Sequence, residues 1–497
     1  MEALRQPIIL TSVALYMVMC LAVGLWALRR TQSTRDFFMA GRQLGVMITG
    51  IAIFSSTMSG FGFVGGPGLV YALGMSSVWI VLTTGIAGAV ADFLLGKRLR
   101  MFAELFDTVS LADVVAARYG RESTRFLTAL AILLGILGYL ATQMLAMAKV
   151  LQTLLAGTAM FSGVSLVTCV VVSCSVLVFY CVTGGILASV YTDLVQGSMM
   201  AVAGVLVFLT AITTFDGGAS AAVTALWIDD PESVSPWGTL GMIGCLSWYF
   251  MFALGAAGQP HVITKGMMLK TLRSYRFIPA VAITGYLMTA LLWVGIGLLM
   301  RAMVVAGRHA PLVSPDQAAP VFLHTYAHPL LAGVVFAGLF AAIMSTADSF
   351  LNIGAAALTH DIPRSLGRKP RNELAWARWG TVAIAIVAAL FALYSHYANA
   401  RLVALLGVFG WGTFAAALVP VVGIGLNWKR ATPLAANTAI TVSLVFNFAV
   451  EVFDVALPFG VHGGSVALLL SLILFFGLSF AAPAPVLSHE VEAVMDI

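Results

Sequence analysis

Thirteen apolar runs follow one another along this chain, most of them near the ~20 residues that an α-helix needs to cross a bilayer. That repetition constrains the fold more than any single motif. A bilayer core offers backbone amides no water, so only helices or closed barrels cross it. Barrel strands would alternate apolar and polar residues, whereas these runs are unbroken. Composition agrees: 60% of the 497 residues are hydrophobic and 9% charged, against about 45–50% and about 25% in soluble domains. The reading is an all-α membrane protein of about 13 transmembrane helices. The runs cover roughly 8–28, 44–73, 76–96, 123–156, 165–183, 187–213, 238–259, 277–300, 330–358, 379–398, 402–425, 433–450 and 461–482. The first has spanning length and leads into Arg29-Arg30, which argues against a cleavable signal.

Charge sets the expected topology. Twenty-one of the 26 Lys and Arg fall in alternate loops, between Arg29 and Arg42, Lys97 and Arg125, Lys265 and Arg276, Arg364 and Arg378, and at Lys429-Arg430. The other loops hold only Arg5, Arg301, Arg308 and Arg401, and Lys149 sits inside a span, where it would snorkel or pack along its stem. Basic loops stay cytoplasmic, so the N-terminus is expected outside and the C-terminus inside, in the plasma (inner) membrane. The net charge of +5 then records topology and implies no nucleic-acid partner. All five Cys lie in apolar runs, as packing residues. The acidic tail (Glu490, Glu492, Asp496) reads as a solvated end, and Asp92 as a salt-bridge partner of Lys97-Arg98. The eight His lack metal-ligand spacing and no nucleophile–base pair emerges, so an enzyme is not expected.

Polar groups at membrane depth carry the functional signal. Span two contains Phe54-Ser55-Ser56-Thr57-Met58-Ser59-Gly60 and then Gly62 and Gly65-Gly66-Pro67-Gly68. Such a run weakens the helix and frees carbonyls that need a cation or cavity water; close packing through small residues is the competing reading. Span seven is interrupted at Gly255 to His261, around Gln259-Pro260. Spans two and seven open two five-helix units of opposite orientation, and paired interruptions at matching places point to a transporter's midplane site. In span nine, Ala342, Ser345, Thr346 and Ser349 share one helical stripe. Their oxygens suit a hard monovalent ion, although back-bonding to their own helix is an alternative. Asp193 in span six and Asp348 in span nine are carboxylates where a charge costs at least about 2.5–3.5 kcal/mol.

In this order, these segments resemble the sodium:solute symporter family, through Gly66-Pro67-Gly68, Gly184-Gly185 with Thr192-Asp193 and Gln196, Gly258-Gln259-Pro260-His261, and Met344-Ser345-Thr346. The resemblance implies an inverted five-plus-five helix core with one helix before it and two after. Residues 1–43 would hold the first span and its loop, 44–213 the first repeat, 214–237 an outer loop, 238–425 the second repeat, and 426–497 the last two spans and a tail. It implies a Na+ site from the carbonyls of Ser55, Met58 and Ala342 with the hydroxyls of Ser345 and Thr346. A second cation, Na+ or H+, would lie among Asp193, Ser345, Asp348 and Ser349. Asp348 stands where some relatives carry serine. Solute contacts would come from Ser56, Thr57, Ser59, Gly60, Tyr139, Gln143, Phe252, Ala256 and Trp411.

The function expected is sodium-coupled symport of a small polar organic solute (an amino acid, a carboxylate or a vitamin such as pantothenate) by alternating access. Sodium is then the coupling ion, with no organic cofactor. The partners are the solute, sodium and the lipid bilayer, with no obligate protein partner. A proton-coupled carrier of the same fold and a transporter-like sensor or receptor are the rivals; the second would need a signalling domain that these 497 residues do not provide.

Overall fold

The computed structural model describes residues 2–496 apart from 159, 160, 162, 369, 370, 399–402 and 454, so Lys369 and Arg401 lie outside the described residues. Those residues form helices and no strand beyond one bridge, Leu44 to Leu269. The principal helices, in chain order, are α1 (Glu2–Leu28), α2 (Val46–Thr57), α3 (Gly66–Leu73), α4 (Val78–Leu105), α5 (Leu111–Tyr119), α6 (Glu122–Ala156) and α7 (Leu166–Thr214). After these come α8 (Gly241–Gly255), α9 (Ile278–Val305), α10 (Pro329–Ala356), α11 (Glu373–Ala398), α12 (Val403–Leu418), α13 (Pro433–Val452), α14 (Gly463–Ala481) and α15 (His489–Met495).

Ten described helical stretches are long and apolar enough to cross a membrane. That number covers the described residues alone, so Val78–Leu105 is not among the ten and Phe409–Ile424 enters only as a shorter apolar helix. Spans five and six run on as one 49-residue element, α7. A straight helix of that length would measure about 74 Å, but Gly185 has φ 56° and ψ −145° and turns the chain. Contacts with α1 show the reversal. Before the turn, Tyr180 faces Gly24 and Gly184 faces Ala27; after it, Tyr191 meets Trp26 edge-on and Gln196 bonds Tyr16. The register rises along one arm and falls along the other, so the arms are antiparallel. A Cβ at Gly185 would also lie 2.5 Å from the Phe37 carbonyl, so both conformation and space demand glycine.

Both interruptions read from the sequence are present. α2 stops at Met58, whose ψ of 81° leaves the helical region, and the chain resumes through a wide turn at Phe61–Gly65 into α3. Gly66 packs directly on the Trp293 ring, where a Cβ would lie 2.0 Å away. α8 passes through a tight turn to Gln259, which is extended (ψ 101°), and Pro260 restarts a short helix. Proline suits that first position because its missing N–H is not needed there.

Loops gather at two ends. At the basic end Arg42 reaches the Thr108 carbonyl (2.7 Å), Arg100 that of Leu269 (2.7 Å) and Arg118 those of Gly425 and Trp428 (2.9 Å each). At the other end Arg301 pairs with Asp230, Arg308 with Asp216, and Arg5 holds the Ala327 carbonyl. The N-terminal helix therefore starts at one end and the chain finishes at the other. Two expectations need correction. The acidic tail is a docked helix, α15, with Val491 and Val494 buried and Asp496 2.7 Å from Lys429, because it has an apolar face to bury. Asp92 makes no ion pair with Lys97 or Arg98: it is buried, and Arg98 turns to Asn427 and the Met495 carbonyl.

Candidate functional site

The break in span two leaves the last carbonyls of α2 without helical donors, and α10 supplies hydroxyls to them. Ser345 Oγ lies 2.9 Å from the Ser55 carbonyl and 3.1 Å from that of Ala342. Thr346 Oγ1 donates to the Ser56 carbonyl at 2.7 Å. Four of the five residues expected around sodium thus meet at one buried junction. The fifth, Met58, follows at the break, where its N–H closes the last turn of α2 on Phe54. The donor set is neutral and made of oxygen, which fits a hard monovalent cation.

The expected second cation site is built differently. Asp193 and Asp348 are fully buried, but Asp193 faces Lys265, whose Nζ lies 2.5 Å from Oδ2, 3.1 Å from the Ala52 carbonyl and in contact with Ser56 Oγ. Lys265 belongs to the re-entrant segment after Pro260 and is 0% exposed. Its place among the basic loop residues of the sequence is corrected here. Asp348 is held by Tyr180 Oη (2.8 Å), Ser189 Oγ (2.6 Å) and Ser349 Oγ (3.2 Å). Ser349 in turn lies 3.1 Å from Ser56. A continuous polar chain therefore runs Asp193–Lys265–Ser56–Ser349–Asp348, with an ammonium already at its first carboxylate.

The residues expected around the solute divide. Ser59 Oγ lies 3.2 Å from Tyr139 Oη, and the Gly60 N–H donates to Gln143 Oε1 at 2.8 Å. The Phe252 and Trp411 rings lie 5.2 Å apart, tilted by 30°, and Ala256 begins the turn before Gln259. Thr57 instead takes the Tyr286 hydroxyl (2.7 Å), and Ser56 serves the cation chain. His261, which the motif contained without a role, lies against Phe350 (4.4 Å) and Tyr139 (6.2 Å). Gln143 Nε2, Trp411 Nε1, Gln259 Oε1 and both His261 nitrogens are buried without hydrogen-bond partners. Buried polar atoms are normally paired, so these five atoms keep hydrogen-bonding capacity that the described residues leave unused.

A separate cluster closes the basic end. Asp113 on α5 accepts from His360 Nε2 (2.8 Å) and pairs with Arg125; His360 Nδ1 meets Glu373; Ser110 donates to Asp361 at 2.5 Å. Burial alone would raise the Asp113 carboxyl, but the His360 hydrogen bond and charge, with Arg125 behind them, hold it at about 2. Asp113, His360 and Asp361 converge within 4.8 Å, yet both imidazole nitrogens face carboxylates. No imidazole lone pair is left for a metal, and the cluster works as an ion-paired latch between α5, the helical segment 357–361 that follows α10 and the start of α11.

The model of the sodium:solute symporter family matches residues 37–442. The chain belongs to that family. Among relatives of this symporter-family chain is the osmoregulated proline transporter OpuE of Bacillus subtilis, 28% identical over 438 residues, 87% of each chain. Another is the sodium/proline symporter of Staphylococcus aureus (strain JH9), 28% identical over 84% of this chain and 81% of the relative. In fold it is similar to a Na+-coupled sialic acid symporter in a substrate-bound outward-open state, with TM-score 0.79 and 18% identity over 97% and 99% of the two chains. A nucleobase-cation-symport-1 family transporter is similar at TM-score 0.59 and 16% identity over 93% and 98%. The family and these relatives are membrane transporters, not enzymes.

Proposed function

We propose that this chain is a sodium-coupled symporter that takes up a small polar organic solute, an amino acid, a carboxylate or a vitamin such as pantothenate, by alternating access. The observation that carries the reading is the oxygen junction of Ser345 and Thr346 with the Ser55 and Ser56 carbonyls. A cation there ties the broken span two to α10 and favours one arrangement of the core; its loss lets α2 and α10 part. Solute between Tyr139, Gln143, Phe252 and Trp411 completes the closed state. An inside-negative potential supplies about 2.3 kcal/mol per charge per 100 mV. The reading includes the thirteen-span inverted-repeat plan, the five segments assigned from sequence, and the basic end in the cytoplasm.

Lys265 favours a stoichiometry of one sodium, because its ammonium already neutralises Asp193. The rival, proton coupling, rests on Asp348, whose oxygens meet only hydroxyls among the contacts described. Purified protein in liposomes, tested with L-proline, pantothenate and N-acetylneuraminate under separate sodium and proton gradients, discriminates. Uptake of one solute with sodium alone supports the proposal; uptake with a proton gradient alone replaces it with the rival.

A further inference from the structure

A cavity of ≈ 580 Å³ opens at the end opposite the basic loops, between α6 and the segment Ser314 to Thr325. Its wall on α6 includes Ala146, Lys149, Val150 and Thr153, spaced as one helical face. Gln143 continues that face one turn deeper. At the floor, a Cβ on Gly60 would touch both Gln143 Oε1 (3.0 Å) and Ala146 Cβ (3.2 Å), so the cavity ends against the solute residues. Lys149 is six residues above Gln143, about 9 Å along the axis.

Lys149 is the only lysine outside the five basic loops, and it lines this cavity without an ion pair to any described residue. Asp316, on the 315–317 turn of the other wall, is the one carboxylate among the described lining residues, and Gln152, Gln317 and His324 add polar groups. A fixed cation in a vestibule with low-dielectric walls concentrates anions and raises their on-rate by roughly 10- to 1,000-fold.

We infer that Lys149 forms a staging site for the carboxylate of the incoming solute, above the transport site and distinct from it. This rests on the symport reading for the identity of the solute, but not for the site itself. The deeper residues offer uncharged donors, so Lys149 is the point where a carboxylate is first distinguished from its uncharged counterpart.

The test has two arms. In right-side-out vesicles, the membrane-impermeant amine reagent sulfosuccinimidyl acetate should modify Lys149, read by peptide mass spectrometry. With residual reagent matched by adding a soluble amine to the control reactions, L-proline or pantothenate should slow that reaction, and L-prolinamide and panthenol should not. No modification of Lys149, or no protection by either carboxylate, overturns the inference whether or not transport is observed. In liposomes, Lys149→Gln should raise the apparent KM of the transported solute about tenfold, leave the maximal rate near wild type and flatten the dependence on ionic strength. Lys149→Arg should restore all three. Unchanged KM and salt dependence in Lys149→Gln overturn the staging site while leaving symport intact; absence of any sodium-driven uptake by wild type defeats the symport reading instead.

Discussion

Lys265 and Asp193 form an ion pair at 2.5 Å with side chains 1% and 0% exposed, in the region where sequence placed a second exchangeable cation. Burial makes the pair expensive to break and cheap to replace. Removing one partner strands a charge and costs about 3–5 kcal/mol, whereas neutralising both is far milder. Lys265→Gln and Asp193→Asn alone should each lower the melting temperature strongly, and the double variant should recover most of the loss. Equal damage in all three would mean that the pair does not act as a unit.

Ser345→Ala with Thr346→Ala should leave a folded protein, since each hydroxyl bond contributes about 0.5–1.5 kcal/mol. What should disappear is stabilisation by sodium, because the carbonyls of Ser55 and Ser56 lose their α10 counterparts. Thermal shift in sodium against choline chloride reads this directly. An intact sodium shift in the double variant would place the ion elsewhere.

Gln143 joins the broken helix to the proposed solute site: Oε1 holds the Gly60 N–H, and Nε2 has no partner among the described residues. Gln143→Ala removes both a strut and a donor. A buried group left unpaired costs about 1–3 kcal/mol, so the apparent solute constant should rise roughly five- to hundredfold. Sodium binding without solute should change little. Solute titrations that match wild type in Gln143→Ala, Tyr139→Ala and Trp411→Ala would move the pocket.

The hydroxyl stripe of Ser345, Thr346 and Ser349 was legible because it is local, written at helical spacing inside one apolar run. The interruptions at Met58 and Gln259 were legible for the same reason: serine, glycine and proline act on their own backbone. Lys265 was not. It follows a span end and looks like one more loop base, and only the inward course of the segment after Pro260 takes it to Asp193, 72 positions away. The latch was equally hidden, since His360 and Asp113 are 247 positions apart. Charge patterning reports which end a residue belongs to; it does not report whether the side chain points back into the bundle.

Asp113 gives the basic end a defined response to pH. It faces Arg125 and His360 directly, with Glu373 on the far side of the imidazole and Asp361 nearby. Its carboxyl is held at about 2, below the ordinary value near 3.9. A depressed carboxyl stabilises the fold fully above the unfolded value and loses that contribution as pH falls toward the folded one. Asp113→Asn should therefore lower the melting temperature at neutral pH, leaving Arg125 and His360 without their carboxylate. The cost should sit toward the lower end of about 3–5 kcal/mol, because Arg125 is 13% exposed. The gap between wild type and variant should hold constant from pH 7 to about 5 and narrow only below about 4. Melting curves across that range decide it: a gap that closed between pH 7 and about 6 would assign the latch to a group other than Asp113.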